Sequence, residues 1–420
     1  KAAEETIVLD AGVEVWRMPP YDLGQEFADL RKWQINWEGF LVRHPNIRFR
    51  NDGQKRYSVL KEYVLFYGYS LCDDTLVFSE DGLEAIEFSL FNMGDEKTLA
   101  GEDAALETIN AISEVVAADR VDVSQASDGN GKFIVNYDWV GSAPHLTMVM
   151  GVVSRQGVRY VEYLNGTLAI VGHRIVSNVS NDPRMNVRRS HGDVYIGGGP
   201  MVNQGQRGYC VPATIERISR YYGIDADMHA LALMLDTKVG GGTHINIKQI
   251  EKIAQMAGLH HVEFRDLERY DDEYCARYNM AARDYGGRQL FIEDFTVEET
   301  SEDGGTVNMR HYDWMSDAMD KEIKRKSRLY DAEGFAKFKN GIMSCIEKGY
   351  PLVWSVDRLF PWDRSDGSQG GGHTRIVVGY NELHDEVFYS DSWGSGHEFK
   401  RAKMKDAWEC TDFLTCLFPM

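Results

Sequence analysis

The stretch "NQGQRGYCVPAT", residues 203–214, decides how this chain is read. From Cys210 onward, Val211, Ile215, Ile218 or Ser219, and Tyr222 recur at helical spacing, so a helix is expected to begin at the cysteine. Pro212 fits there because a first-turn residue has no intrahelical N–H bond to lose. A cysteine at a helix N-terminus faces unpaired backbone N–H groups and the positive end of the macrodipole, which favour thiolate over thiol. Six residues earlier stands Gln204, in a glycine-flanked loop. Its side-chain amide and the backbone N–H of Cys210 are the two donors an oxyanion hole needs, with Gln206 a nearer rival for the role. Taken alone, Cys210 reads as a small core residue, as most lone cysteines do. A nucleophile needs a base, and the base needs an orienter.

Both are found in "GGGHTRIVVGYNELHDEVFYSDSWG", residues 370–394. Ile376, Val377 and Val378 read as a buried strand, the segment from Asn381 to Glu386 as a turn, and Val387 to Tyr389 as the antiparallel return. With the turn centred on residue 382, His373 and Asp391 face each other across the hairpin. Cross-strand Cβ atoms lie about 5 Å apart, within reach of an Nδ1–H to carboxylate hydrogen bond. Asp391 is then expected to fix the imidazole tautomer. Gly372 and the two glycines before it leave room for a substrate backbone beside the base, although a flexible turn reads equally well from them. Trp393 reads either as a shield for the His–Asp pair or as a plain core tryptophan.

At these residues the chain resembles papain-like cysteine peptidases, and more closely the bacterial branch similar to bacteriocin-leader peptidases. That family carries a glutamine six residues before the catalytic cysteine at a helix start, then a His and an Asn or Asp on neighbouring strands, with Ser-Trp-Gly after the third residue. The matching residues are Gln204, Cys210, His373 and Asp391, the last followed by Ser392, Trp393 and Gly394. "GYPLVWSVD" looks like the family's central strand, and "MLDTKVGGGTHINIKQIEKIAQMAGL" like its second and third helices, with Asn246 and Gln249 as a capping pair and Gly258 as a stop. The resemblance covers residues 199–420. It implies acyl transfer by a Cys-His-Asp triad, first of all on a peptide or protein substrate. A deamidase, an amidase, a transglutaminase-like transferase, and a catalytically silent binding module with the same fold remain as alternatives. Leader peptidases of that branch are commonly attached to membrane transporters, and no such segment is found here, so the leader substrate is not carried over.

Composition narrows the remainder. A length of 420 residues implies two or three domains, and 43% hydrophobic with 26% charged residues implies a globular chain. The net charge of −19 opposes binding to nucleic acid or anionic lipid, and the one basic run, "KEIKRKSR", reads as a solvated helix face. Apolar runs such as "LTMVMGVV" are far short of the ~20 residues of a membrane helix, so no membrane span is expected. The six cysteines are too sparse for a disulfide scaffold, and no CxxC pair or HExxH occurs. The neighbours His260 and His261 read as a strand edge, so no metal and no cofactor are implied. The chain starts "KAAEET", which fits a secreted or periplasmic product after signal removal and a trimmed cytoplasmic chain equally.

Two grammars divide the chain. Up to about residue 190 strands dominate, as in "AIEFSLFN", "KFIVNYDWV" and "VRYVEYLNGTLAIV", with Asn165 and Gly166 as a hairpin turn signal. One amphipathic helix from near Asp103 carries Leu106, Ile109 and Val116 on a stripe. The expected fold is thus α+β: a β-rich α+β domain over 1–190, and over 196–420 a papain-like domain whose nucleophile helix packs on an antiparallel sheet. A long insert at about 261–335 is expected to be a lid or added subdomain. The polar stretch around "NVRRSHGD" reads as a boundary loop and as a cleavable joint to a regulatory or propeptide-like first half.

Overall fold

Strand and helix signals alternate along the chain as the α+β reading requires, and the computed structural model describes most of residues 69–419, with short strands before them at 6–9, 36–37, 40–41, 48–51, 56–60 and 63–66. Positions 79–82, 97, 128, 143–144, 170–181, 203, 205–206, 225, 239–242, 244–246, 257–258, 266–270, 301–305, 364–371, 394–396 and 420 lie outside the described residues. So do the features expected at Gln206, Asn246, Gly258, Gly370, Gly371 and Gly394. The chain forms two compact units. One comprises Lys1–Val179, Gly199–His244 and Ser392–Glu398, and the other Ser180–Gly198, Ile245–Asp391 and Phe399–Met420.

In the first unit the alternation of Val135, Tyr137 and Trp139, all buried, with exposed Asn136 makes Lys132–Val140 a strand with one face in the core. Its antiparallel sheet runs Arg120–Ser127, Lys132–Val140, His145–Arg155, Val158–Ala169, Leu83–Asn92, Asp73–Phe78, Arg56–Leu60 and Arg48–Asn51. The helix Glu102–Val115 lays Ala105, Ile109 and Ile112 on that sheet, and Glu102 and Asp103 in its first turn complement the macrodipole. The helix Met228–Met234 also belongs here: Asp227 caps it, its Leu233 packs on Val153 and Tyr163, and Lys132 donates to the Met234 carbonyl at 3.3 Å.

The Asn165–Gly166 signal does not mark a turn. Both residues lie inside Val158–Ala169, and the chain reverses instead at Gln156 and Gly157, whose φ values of 52° and 81° suit a two-residue hairpin. Gly166 answers to packing, because a Cβ there would lie 2.2 Å from Phe88 Cζ, and Phe88 is itself packed against Phe66 at 4.2 Å between centroids.

The second unit is built on an antiparallel sheet in the order Val187–Ser190, Asp193–Ile196, His373–Asn381, Leu352–Val356, Thr411–Pro419 and Leu259–Arg265. Glu386–Ser390 pairs with His373–Asn381, and Lys400–Lys403 with Glu386–Ser390. "GYPLVWSVD" supplies the central strand as expected, with Leu352, Val353, Trp354 and Val356 fully buried. The helix Ala332–Glu347, capped by Asp331, buries Phe338, Ile342 and Ile346. His260 and His261 lie on the edge strand, as the sequence implies.

Three expectations need correction. The supposed boundary loop is a hairpin, Val187–Ser190 with Asp193–Ile196, turning through His191 and Gly192 at φ 52° and 86°, and Arg189 is ion-paired with Glu347. Its backbone is held in the sheet ladder rather than offered as a joint. The expected insert cannot begin at 261, because His261 sits in a sheet strand; beyond Arg265 the helices Asp272–Tyr285, Tyr312–Ala318 and Lys321–Ser327 surround a small core including Tyr278, Met315 and Ile323. "KEIKRKSR" is not merely a solvated face: Arg325 and Arg328 pair with Asp357, Arg328 with Asp412, and Lys326 with Glu409.

Gly166→Ala is expected to destabilise the protein by about 1–3 kcal/mol, the usual cost of forcing an extra methyl group into a packed core. Chemical denaturation checks this, and an unchanged midpoint would refute the packing role given to Gly166.

Candidate active site

The sequence candidates divide between the units, with Gln204, Cys210 and Trp393 in the first and Gly372, His373 and Asp391 in the second. Cys210 is half-buried and opens the helix Cys210–Tyr221. Gly208, at φ 73°, turns the chain into the helix, Tyr209 caps it without a side-chain bond, and the Ala213 N–H to Tyr209 carbonyl bond of 2.9 Å closes the first turn. The helix is buried on nearly all sides, so its polar residues have partners: Glu216 accepts from the Met228 N–H, and Arg217 donates to the Pro200 carbonyl. Gln204 is buried, its N–H donates to the Ser392 carbonyl at 2.7 Å, and its side-chain Oε1 has no hydrogen-bond partner. Ser392 directly follows Asp391 in the chain. Trp393 is half-buried with its ring edge-on to His397 at 5.5 Å.

In the second unit His373 opens its strand, and exposed Gly372 precedes it, where a Cβ would approach the Val356 carbonyl to 3.1 Å. Nε2 of His373 and Oδ1 of Asp391 are 3.1 Å apart, with both residues buried. The nitrogen is Nε2 where Nδ1 was expected, and the register explains the difference. Ile376 pairs with Ser390, and a bulge lies between Val377 and Gly379, so continuing the register sets Arg375 opposite Asp391 and His373 on the diagonal. The imidazole therefore reaches Asp391 with its far nitrogen.

Arg375 was missed, although counting by two along the strand from His373 puts it on the same face. It is wholly buried, over the rings of Trp354 at 5.3 Å, Phe360 at 5.7 Å and Tyr389 at 4.6 Å. Its Nη2 donates to Asp363 at 3.0 Å, and its Nε lies 3.3 Å from Asp391 Oδ1, an ion pair without hydrogen-bond geometry. Lys400 Nζ donates to Asp391 Oδ2 at 2.7 Å, and Tyr389 donates to Asp363 at 2.7 Å. Burial by itself would raise the Asp391 pKa, but the Arg375 charge, the His373 hydrogen bond and the Lys400 charge outweigh it and hold the carboxyl well below the ordinary range. With Asp391 ionised, His373 Nε2–H is the donor.

Five other cysteines lie elsewhere in the fold. Burial pushes the thiols of Cys72 and Cys410 up to about 12 and raises those of Cys275 and Cys416 as well. Cys345 is buried and hydrogen-bonded to Cys416, which lowers its pKa. Among the described residues no group of His, Cys, Asp and Glu is arranged to hold a metal, and no helix is long and apolar enough to cross a membrane.

A depressed native pKa makes Asp391 stabilising above its unfolded value, and that contribution is lost as pH falls through the native one. Asp391→Asn removes one partner of a buried pair, which typically costs about 3–5 kcal/mol near neutral pH. The gap from wild type is expected to narrow in acid. Denaturation midpoints at neutral pH and near pH 3 test this, and a gap that does not change with pH would contradict it.

Among curated proteins none matches the chain. The profile described as the Peptidase_C39 like family matches residues 198–416, just over half of the chain. With its α+β architecture, the helix opened by Cys210 and the antiparallel sheet bearing His373, the chain belongs to the Peptidase_C39-like family and has a papain-like cysteine peptidase fold in that region.

Proposed function

We propose that the protein is a cysteine peptidase in which Cys210 is the nucleophile, His373 the general base and acid, Asp391 the residue that orients His373, and Gln204 an oxyanion donor. The observation that carries the reading is the buried His373 Nε2 to Asp391 Oδ1 contact of 3.1 Å, on a carboxylate kept ionised by Arg375 and Lys400. It fixes the proton on Nε2 and makes Nδ1 the nitrogen that exchanges a proton with the thiol. Further support comes from the Gln204 N–H bond to Ser392, the residue after Asp391.

The reaction begins as the Cys210 proton moves to His373 Nδ1 and Sγ attacks the scissile carbonyl carbon. The resulting oxyanion takes hydrogen bonds from the Cys210 N–H and the Gln204 amide. Collapse breaks the C–N bond, and His373 gives its proton to the leaving amine. His373 then deprotonates water, which attacks the thioester, releases the carboxylic acid and restores the Cys210 thiol. Dispersed charge on the imidazolium is balanced by Asp391 throughout.

Cys210→Ala is expected to abolish labelling by an irreversible thiol-directed amide-mimic probe, read by intact mass, and to leave the thermal transition nearly unchanged. Gln204→Ala is expected to lower kcat on a peptide substrate by about a hundredfold with little change in KM. Equal labelling of wild type and Cys210→Ala would end the nucleophile assignment.

A further inference from the structure

Between Gln204 and Cys210, three residues from each, Arg207 is buried at 5% exposure. Its fork grips two carboxylates of the N-terminal sheet region: Nε and Nη2 donate to Asp95 Oδ2 at 2.9 and 2.8 Å, and Nη2 to Asp73 Oδ2 at 2.7 Å. Asp95 is in turn fixed by Asn92, which donates to its Oδ2 and accepts from its N–H, both at 2.8 Å. Asp73 opens a strand of the sheet, and Asp95 lies in the short helix Met93–Glu96 that follows another. The backbone approaches closely as well, since a Cβ at Gly94 would lie 2.8 Å from Arg207 Cβ and 3.0 Å from Tyr209 Cζ. Burial alone would favour loss of the Arg207 proton, but Asp73 and Asp95 more than offset it and the guanidinium stays charged. On the other side, the Gln204 N–H is held by the Ser392 carbonyl. Gln204 and Arg207 are thus both held from outside the helix that follows them.

We propose that Arg207 is a positioning residue through which Asp73 and Asp95 fix the placement of Gln204 and Cys210, so that the first half of the chain is a working part of the catalytic apparatus and not a removable propiece. The inference rests on the peptidase reading above, because only there does the exact placement of the Gln204 amide and the Cys210 N–H matter. Charge alone does not replace the fork: a lysine keeps the charge and loses the two-pronged geometry.

The test uses the full chain with Arg207→Lys, Asp95→Asn and Asp73→Asn, and two reagents mapped to Cys210 by peptide mass. p-Nitrophenyl acetate acylates through an oxyanion, whereas iodoacetamide alkylates the thiolate without one. The expected result is acylation slowed at least about tenfold in Arg207→Lys and Asp95→Asn, with alkylation within about twofold of wild type, as misplacement of an oxyanion donor requires. Equal loss with both reagents, or no loss with either, in variants that keep their thermal transition overturns the proposal. If Arg207→Lys does not fold, Asp73→Asn, at a carboxylate 35% exposed, decides the same question. Wild type inert to both reagents at Cys210 would instead end the peptidase reading itself.

Discussion

A guanidinium shut away from water has to be neutralised by the fold, and the second unit is arranged around that need at Arg375. Stripping such an ion of solvent costs several kcal/mol, which only close carboxylates and good geometry offset. Two cations, Arg375 and Lys400, meet two carboxylates, Asp363 and Asp391, and the rings of Trp354, Phe360 and Tyr389 close over the guanidinium. Asp363 is held from further sides, by the Phe360 N–H and the Tyr389 hydroxyl. Asp391 therefore owes its position to charge balance as much as to the imidazole beside it. His373 thus lies against a group whose charges already cancel.

Much of this was legible in the sequence. Apolar spacing after Cys210 gave the helix and its start, "GYPLVWSVD" gave the central strand, and the order Gln204, Cys210, His373, Asp391 matched one family's pattern. What escaped reading was set by contacts distant in sequence. Arg375 stands inside an apolar strand, where a pattern search counts it as noise; its role depends on Asp363, Lys400 and three rings from other elements. The hairpin register slipped because the turn occupies 382–385 and a bulge follows, neither of which alternation reveals. Asn165 and Gly166 have turn chemistry, yet the glycine is there for a neighbouring ring. In "NVRRSHGD", polarity looked like a linker because both arginines lie on a strand at the sheet's edge, where polar side chains are common.

The first half also changes character. Its sheet receives Leu233 and the Met228–Met234 helix, and its acidic residues hold Arg207, so sequence blocks and compact units do not coincide. Segments on either side of residue 190 share one core because apolar faces, rather than composition boundaries, decide what packs together.

The place of Thr411–Pro419 in its sheet bears on how the chain folds. That strand lies between Leu352–Val356 and Leu259–Arg265, so neighbours already synthesised have no ladder joining them until it arrives. In the register Trp354 faces Leu414, and on the other side His261 faces Leu417. Pairings this distant form late and slowly, because loop closure precedes any gain from contact. The second unit's sheet is thus joined through a strand that follows both of its partners in the chain.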